Sequence, residues 1–456
     1  MKIVNFKYLL IFIFLLLGNA KMSAQAPLSA IDSLYFTSVE EFYKRAEKLK
    51  GKIWEGMKIN PVCLFRSNGP AFLFNHPNPP DNFRKLSDKL YVGKQSDLRL
   101  YGATQTEING TLTAVNDYGN AYYSCIEEAY AELFHELHHV YQRTHIQQIG
   151  FDNPADLMTY PEEIENDAIK LYEQKLLYQM CFEQDNDRFQ RLLNQFYSCR
   201  LERKKIIGNY IQYEKSVESM EGPAFFCEYM FYNQYKNIND AIRNNYNQKH
   251  FWSILTTLYF GRNSLRKRHL AAGLAMCYIL NREVEDWQSD YYSQSNSLYD
   301  FFISKLNPQA EELKIDSSYF QQSKFFTNQE ILQHRVSFNK FNAQEGFKIT
   351  LKFSEFPQFK GFDPMHAETI NDSTILHKTM LNLSGCEQNN LFITNSQAIT
   401  TIDNEIWNVK KVILYAPMES INLQDHQISV VTAGKKIKWL GQLKLKTEKE
   451  LIFKCK

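Results

Sequence analysis

Long apolar runs are almost missing from this 456-residue chain: past the first 24 residues, none is long enough to span a bilayer. Cysteine is thin, with eight residues at wide and irregular intervals and no Cys-x-x-Cys, which excludes a zinc ribbon and a dense disulfide framework. Charge of one sign is lacking as well. The formal net charge is +1 and no polybasic face dominates, so nucleic acid is not expected as a partner. There is no internal repeat and no low-complexity stretch, which leaves ordinary globular domains, and the length suits two of them.

Core material is plentiful. The chain is 44% hydrophobic and 23% charged, as globular proteins are, with 33 Phe and 27 Tyr to fill a large interior. The first apolar run is a special case. Lys2 and Lys7 precede Tyr8–Leu17, and the small residues Gly18, Ala20, Ser23 and Ala24 follow. This is the layout of a secretory signal peptide, assigned to residues 1–24, with an uncleaved N-terminal anchor as the alternative, against which stands a run too short for a comfortable span. The expectation is an exported protein, periplasmic, cell-surface or extracellular, with no stable membrane insertion after signal removal. Removing those residues takes away three lysines and no acid, turning the charge from +1 to about −2. An oxidising compartment permits a bridge such as Cys386–Cys455, with buried free thiols an equal alternative.

The pattern along the chain reads as α+β. A helix is predicted from Thr37 to about Leu49, with Ser38 and Glu41 at a capped start. Five prolines make residues 61–83 extended or looped, and short alternating runs between Tyr91 and Val115 suggest strands. A helix from Ser124 to about Arg143 comes next, with Ser124 and Glu127 as its capping box. Residues 160–306 have helical periodicity throughout and read as a bundle. After about residue 310 alternating β-branched and aromatic runs take over, so residues 328–456 are expected to form a β-rich domain, sandwich or barrel.

The chemistry concentrates in His135-Glu136-Leu137-His138-His139. Helical residues four apart lie on one face, so His135 and His139 present two imidazoles to one point, as a tetrahedral Zn²⁺ requires of neighbouring ligands. Glu136 follows the first of them, placed to take a proton from water as general base. Leu133, Leu137 and Val140 give the helix an apolar stripe, and His138 falls off the ligand face, where packing is its natural role. A His-rich surface helix is the bland reading of the same residues. A catalytic zinc needs a third protein ligand, and no His-x-x-Gly-x-x-His extension follows, which leaves a carboxylate on another helix.

One candidate is Glu221 in Glu221-Gly222-Pro223-Ala224. Here the sequence resembles the gluzincin metallopeptidases, zincin-like enzymes in which a Glu-Gly-x-Ala segment on a downstream helix supplies the third ligand. Gly222 and Ala224 carry almost no side chain, which would let this helix approach the His135–His139 helix closely. The second candidate is Glu163, with Asp167 four residues on, where other gluzincins place a ligand Glu and an Asp that orients a ligand histidine. The small neighbours favour Glu221. The resemblance is confined to short motifs within about residues 124–230, and the Gly-Ala-Met-Glu-Asn signature of the aminopeptidase branch is absent, so aminopeptidase activity is not implied.

The resemblance implies a mainly helical zincin-like catalytic domain over residues 27–310, with a small strand region, and the β-rich domain after it. The expected activity is zinc-dependent hydrolysis of a peptide or protein substrate, with metal ligands His135, His139 and Glu221 and catalytic Glu136. The alternative is a zinc-stabilised, catalytically silent binding or scaffold protein of the cell envelope. Three lesser readings accompany it. The run Gly110–Val115 is either an edge strand that pairs with an extended peptide or a plain structural strand. Tyr141, Tyr229 and Tyr232 are oxyanion donors or core residues. Arg262, Arg266, Lys267 and Arg268 read as a solvated helix face.

Overall fold

A computed structural model describes residues 29–98, 100–119, 123–145, 154–161, 163–257, 262–293, 297–371, 373–385, 389–424 and 426–455. The signal-peptide expectation for residues 1–24 lies outside them, as does Cys386 with the bridge suggested for it. The seven described cysteines are free thiols.

Helix α1 (Ala30–Ile53) begins earlier than the sequence pattern indicated. Ser29 and Asp32 form its reciprocal capping box, whereas Ser38 already lies inside the helix, its hydroxyl donating to the Leu34 carbonyl at 2.7 Å. The stripe Tyr35, Val39, Phe42 and Ala46 is buried, with Phe42 stacked on Tyr130, while Phe36 and Tyr43 meet Phe72 and Phe74 of a six-stranded sheet. Its strands are β1 (Val62–Phe65), β2 (Pro70–Phe74), β3 (Arg84–Lys85), β4 (Leu90–Lys94), β5 (Thr104–Ile108) and β6 (Thr111–Asp117). The order is β3-β4-β2-β1-β6-β5, antiparallel except for the β1–β6 pair. Asn109 and Gly110, both at positive φ, close the two-residue β5–β6 hairpin, where an Asn-Gly pair is favoured for that reason. The run after Gly110 is thus an inner strand between β1 and β5. Of the two readings of this run the plain structural strand matches this position, and the edge belongs to β5.

Helix α2 (Ile126–His145) packs beside β6, where Asn116 donates to the Ala129 carbonyl at 2.8 Å. Leu133, Phe134, Leu137 and Val140 are fully buried on it. The bundle follows: α3 (Ile164–Phe182), α4 (Asn186–Ile207), α5 (Tyr210–Tyr232), α6 (Arg262–Glu283) and α7 (Leu298–Leu306). Between α5 and α6 the chain forms a short helix, Asp240–Tyr246, and a π-helical turn, Asn247–Trp252. The α5–α6 crossing is close because Gly222 meets Gly273, where a Cβ on either residue would come within 2.6 Å of the other's Cα.

A long helix, α8 (Ser317–Asn342), spans the domain boundary read from the sequence at residue 328. Phe325, Leu332 and Val336 are exposed on it, so its apolar residues do not mark a core face and the helical period is hard to see. Ser323 ties one end to the Ile164 carbonyl at 2.8 Å, and Phe341 packs on Tyr415 at the other. The β-rich part starts at β7 (Phe347–Phe353) and continues through β8 (Gln358–Phe362), β9 (Ala367–Asn371), β10 (Thr374–His377) and β11 (Met380–Ser384). Then come β12 (Asn390–Thr394), β13 (Ala398–Asp403), β14 (Glu405–Ala416), β15 (Ile421–Gln424), β16 (Gln427–Thr432), β17 (Lys435–Lys446) and β18 (Glu450–Cys455). The first half of β17 pairs with β12 and β16 and its second half with β18, so one strand joins two parts of a sheet around a shared core that includes Leu351, Leu391, Leu414 and Trp439. The architecture is α+β, and no described helix is long and apolar enough to cross a membrane.

Candidate metal centre

The site begins as a polar stripe on an otherwise apolar helix. On α2, Glu128, Glu132, His135, His139 and Gln142 recur at alternating spacings of four and three, which places them on one face. That face meets α5. The Ser124 amide at the start of α2 donates to Glu128, at 2.7 Å, and the partner expected there, Glu127, instead accepts from Asn237 at 2.8 Å.

Three ligand atoms converge between the two helices. His135 Nε2 and His139 Nε2 lie 2.9 Å apart, and Glu221 Oε2 stands 3.5 and 3.4 Å from them. Ligands about 2.0–2.1 Å from a tetrahedral Zn²⁺ are separated from one another by about 3.3 Å, so the triangle has the right dimensions. Glu136 belongs to the same group, with one oxygen within 4.8 Å of both imidazoles, and all four side chains are buried.

The proton inventory shows why a cation fits. His135 Nδ1 faces Glu228 Oε2 at 3.0 Å, and a carboxylate can only accept, so this nitrogen carries the hydrogen. His139 Nδ1 faces Gln142 Oε1 at 2.7 Å, while the Gln142 amide nitrogen donates to the Met220 carbonyl at 2.9 Å, which fixes which end of the amide is the oxygen. With Nδ1 of each ring turned outward, the two Nε2 atoms face each other and a carboxylate oxygen, an arrangement that a positive charge at its centre, a metal ion or a proton, would satisfy. Among the described residues His135, Glu136 and His139 form a group that could hold a metal ion, and the partners on the outer ring nitrogens set tautomer and orientation, as ligating histidines require.

The electrostatics agree. Burial opposes charge on His135, but Glu221 and Glu228 outweigh it and hold the imidazole well above its usual pKa, so that without metal a proton fills part of the cation's role. Burial also opposes charge on Glu221, yet Arg266 and the two histidines keep that carboxylate well below the usual range. Arg266 pairs with Oε1, leaving Oε2 to the histidines. For Glu136 burial prevails over the histidines, pushing its carboxyl up to about 7, the range in which a general base is effective.

Several sequence expectations find different places. Glu163 is exposed at the start of α3, and Asp167, its expected companion, pairs with Arg268 at 3.0 Å. Gly222 faces α6 through Gly273, so it permits the α5–α6 approach and not the contact with α2 for which it was singled out. Arg266 and Arg268 turn inward, to Glu221 and Asp167, and are not part of a solvated face. Tyr141 stands beside His138, Tyr229 packs among Phe251, Trp252 and Tyr278, and Tyr232 lies against Tyr246. His138 is fully buried, edge-on to Trp54 at 4.6 Å, which is the packing role anticipated for it.

Glu228, Gln142, Arg266 and His250 had no role in the sequence reading. Glu228 was within reach, since it lies seven residues, two turns, after Glu221 and so on the same face. A second buried group, Glu214, Glu218 and His269, also has cation-holding composition. Its acids are already matched: Lys170, Arg200 and Arg203 stand against Glu173, Glu214 and Glu218, with bonds such as Arg200 Nη2 to Glu218 Oε1 at 2.7 Å. No charge is left for a metal to neutralise there. No family model, curated protein or solved structure matches the chain, so the residues themselves carry the functional argument.

Proposed function

We propose that this chain is an exported zinc-dependent hydrolase that cleaves peptide bonds, with His135, His139 and Glu221 as metal ligands and Glu136 as general base. The observation that carries this reading is the convergence of three acceptor atoms, on His135, His139 and Glu221, beside a buried carboxylate. A purely structural site has no use for Glu136.

Zinc held by these residues would supply Lewis acidity, polarising a carbonyl and making water acidic enough to attack at neutral pH. The protein's own groups do the remaining work. Glu136, with its carboxyl near neutrality, takes the proton of the attacking water and returns it to the leaving amine. Arg266 holds Glu221 by one oxygen and presents the other to the centre. Glu228 and Gln142 keep the two imidazoles in the tautomer that exposes Nε2. The Gly222–Gly273 contact sets how deeply α5 carries Glu221. Export follows from the leader-like first 24 residues.

The decisive experiment joins metal analysis to a broad peptide-library digest of purified protein. The expected result is about one equivalent of zinc per chain and zinc-dependent cleavage that a chelator removes. Protein without a transition metal, purified in the absence of chelator, would overturn the reading. Zinc present with no cleavage of any peptide would return it to the silent scaffold alternative.

A further inference from the structure

We propose that His250 is a positioning residue for the metal centre, acting through Glu228 to hold the His135 imidazole in its ligating orientation; this rests on the metal-ligand reading of His135 given above. The two oxygens of Glu228 are divided between two histidines. Oε2 faces His135 Nδ1 at 3.0 Å, and Oε1 faces His250 Nε2 at 2.6 Å. The last torsion of a glutamate side chain is broad, so a carboxylate held by one oxygen can rock. Held by both, it has one plane. His250 thereby fixes the acceptor against which the His135 ring is set.

His250 is itself held from several sides. Its ring stacks on Tyr246 at 4.9 Å and 17°, and meets Phe225 edge-on at 5.3 Å and Phe251 at 4.6 Å. Phe225 also lies against the His135 ring, at 6.3 Å, so one phenyl group buttresses both ends of the relay. The backbone of His250 lies in the π-helical turn Asn247–Trp252, a wide turn that is rare in helices and common at functional sites. The relay runs from the interior outward. The Glu228 side chain is 3% exposed and that of His250 is 39% exposed, so His250 is the outer, partly exposed end of the relay.

The test is the zinc affinity of the full chain, by competition with a chromophoric chelator, together with the visible spectrum of the cobalt(II)-substituted protein. His250→Ala is expected to bind zinc about tenfold more weakly, the lower end of what outer partners of ligating histidines contribute, and to shift the cobalt bands. His250→Gln keeps an amide donor for Glu228 and is expected to restore most of the affinity and the parental spectrum. Glu228→Gln, close to isosteric, is expected to lose at least as much as His250→Ala and serves in its place should that variant not fold. Parental affinity and spectrum in His250→Ala would overturn the proposal, and so would a His250→Gln as weak as His250→Ala, since packing alone would then explain the loss. A parent that binds neither metal overturns the metal reading itself, a result the parent measurement separates from the other two.

Discussion

Gly222 of α5 and Gly273 of α6 face each other with no room for a methyl group: a Cβ built on Gly222 would stand 2.6 Å from Gly273 Cα, and one on Gly273 would stand 2.7 Å from the Glu218 carbonyl oxygen. The atoms in the way are backbone, so neither helix can yield by rotating a side chain. Glu218 and Glu221, immediately before this contact, are thus held at a fixed depth. Gly222→Ala and Gly273→Ala should each destabilise the fold by about 1–3 kcal/mol, the usual cost of overpacking, visible as a lower urea midpoint. Gly222→Ala should also weaken zinc binding, because Glu221 is its chain neighbour. A Gly222→Ala protein with parental stability would mean that the helices are free to part.

Glu136→Gln tests the chemistry apart from the binding. The amide occupies nearly the same space and leaves His135, His139 and Glu221 untouched, so zinc content should stay at the parental level. Hydrolysis should fall by about 10²–10⁴-fold or more, since the amide cannot accept the proton of water. Measured against any substrate found in the peptide digest, a variant as active as the parent would exclude Glu136 as the base.

The choice between Glu221 and Glu163 is also open to measurement. Glu221 Oε2 stands 3.5 and 3.4 Å from the two Nε2 atoms, whereas Glu163 is exposed at a helix start. Glu221→Ala should lower zinc affinity steeply and leave Arg266 without that carboxylate. Glu163→Ala should change affinity by less than about twofold, as surface substitutions away from such features do. The reverse order of effects would reassign the third ligand to Glu163.

The sequence made the long, strongly patterned elements legible: the bundle helices at Ile164–Phe182, Asn186–Ile207, Tyr210–Tyr232 and Arg262–Glu283 all fall within residues 160–306, where the helical period is read. The pairing of His135 with His139 was legible too, because helical spacing alone decides it. Partners brought together by tertiary packing were not. Arg266 reads as one basic residue among four, and nothing local tells that α6 turns it toward Glu221. Gly222 announced a close helix approach correctly but not its direction, since a missing side chain does not say which neighbour fills the space. The start of α1 was misplaced because Ser38-x-x-Glu41 matches the capping box as well as Ser29-x-x-Asp32 does; only the pairs that the buried Asp32 makes with Arg66, at 2.9 Å, and with Tyr118, at 2.7 Å, single out the earlier one. Helix α8 was split by the expected boundary at residue 328 because its exposed phenylalanine, leucine and valine blur the helical period.

The buried ionic cluster behind the metal site gives the last prediction, through pH. Lys170, Arg200 and Arg203 are matched one for one by Glu173, Glu214 and Glu218, and all six are buried. Burial opposes charge on Glu218, but Arg200 and His269 outweigh it and hold the carboxyl down to about 2. An unfolded glutamate takes its proton near pH 4.3, so between about 4.3 and 2 the unfolded chain binds a proton that the folded chain refuses. The contribution of Glu218 to stability is therefore complete above about pH 4.3 and is lost as pH falls through about 2. Glu218→Gln leaves Arg200 with Glu173 alone and the buried cluster with one cation more than it has acids, and breaking such a pair costs up to about 3–5 kcal/mol. At pH 7 the variant should show that loss in urea unfolding. The gap from the parent should then shrink as pH falls below about 4.3, because the unfolded parent takes up a proton that its folded state refuses until about pH 2. Urea midpoints of both proteins, compared from pH 7 down to the lowest pH at which the parent folds, give the answer. A gap that stays constant, or that is absent at pH 7, would show that Glu218 is held by packing and not by the charge of Arg200.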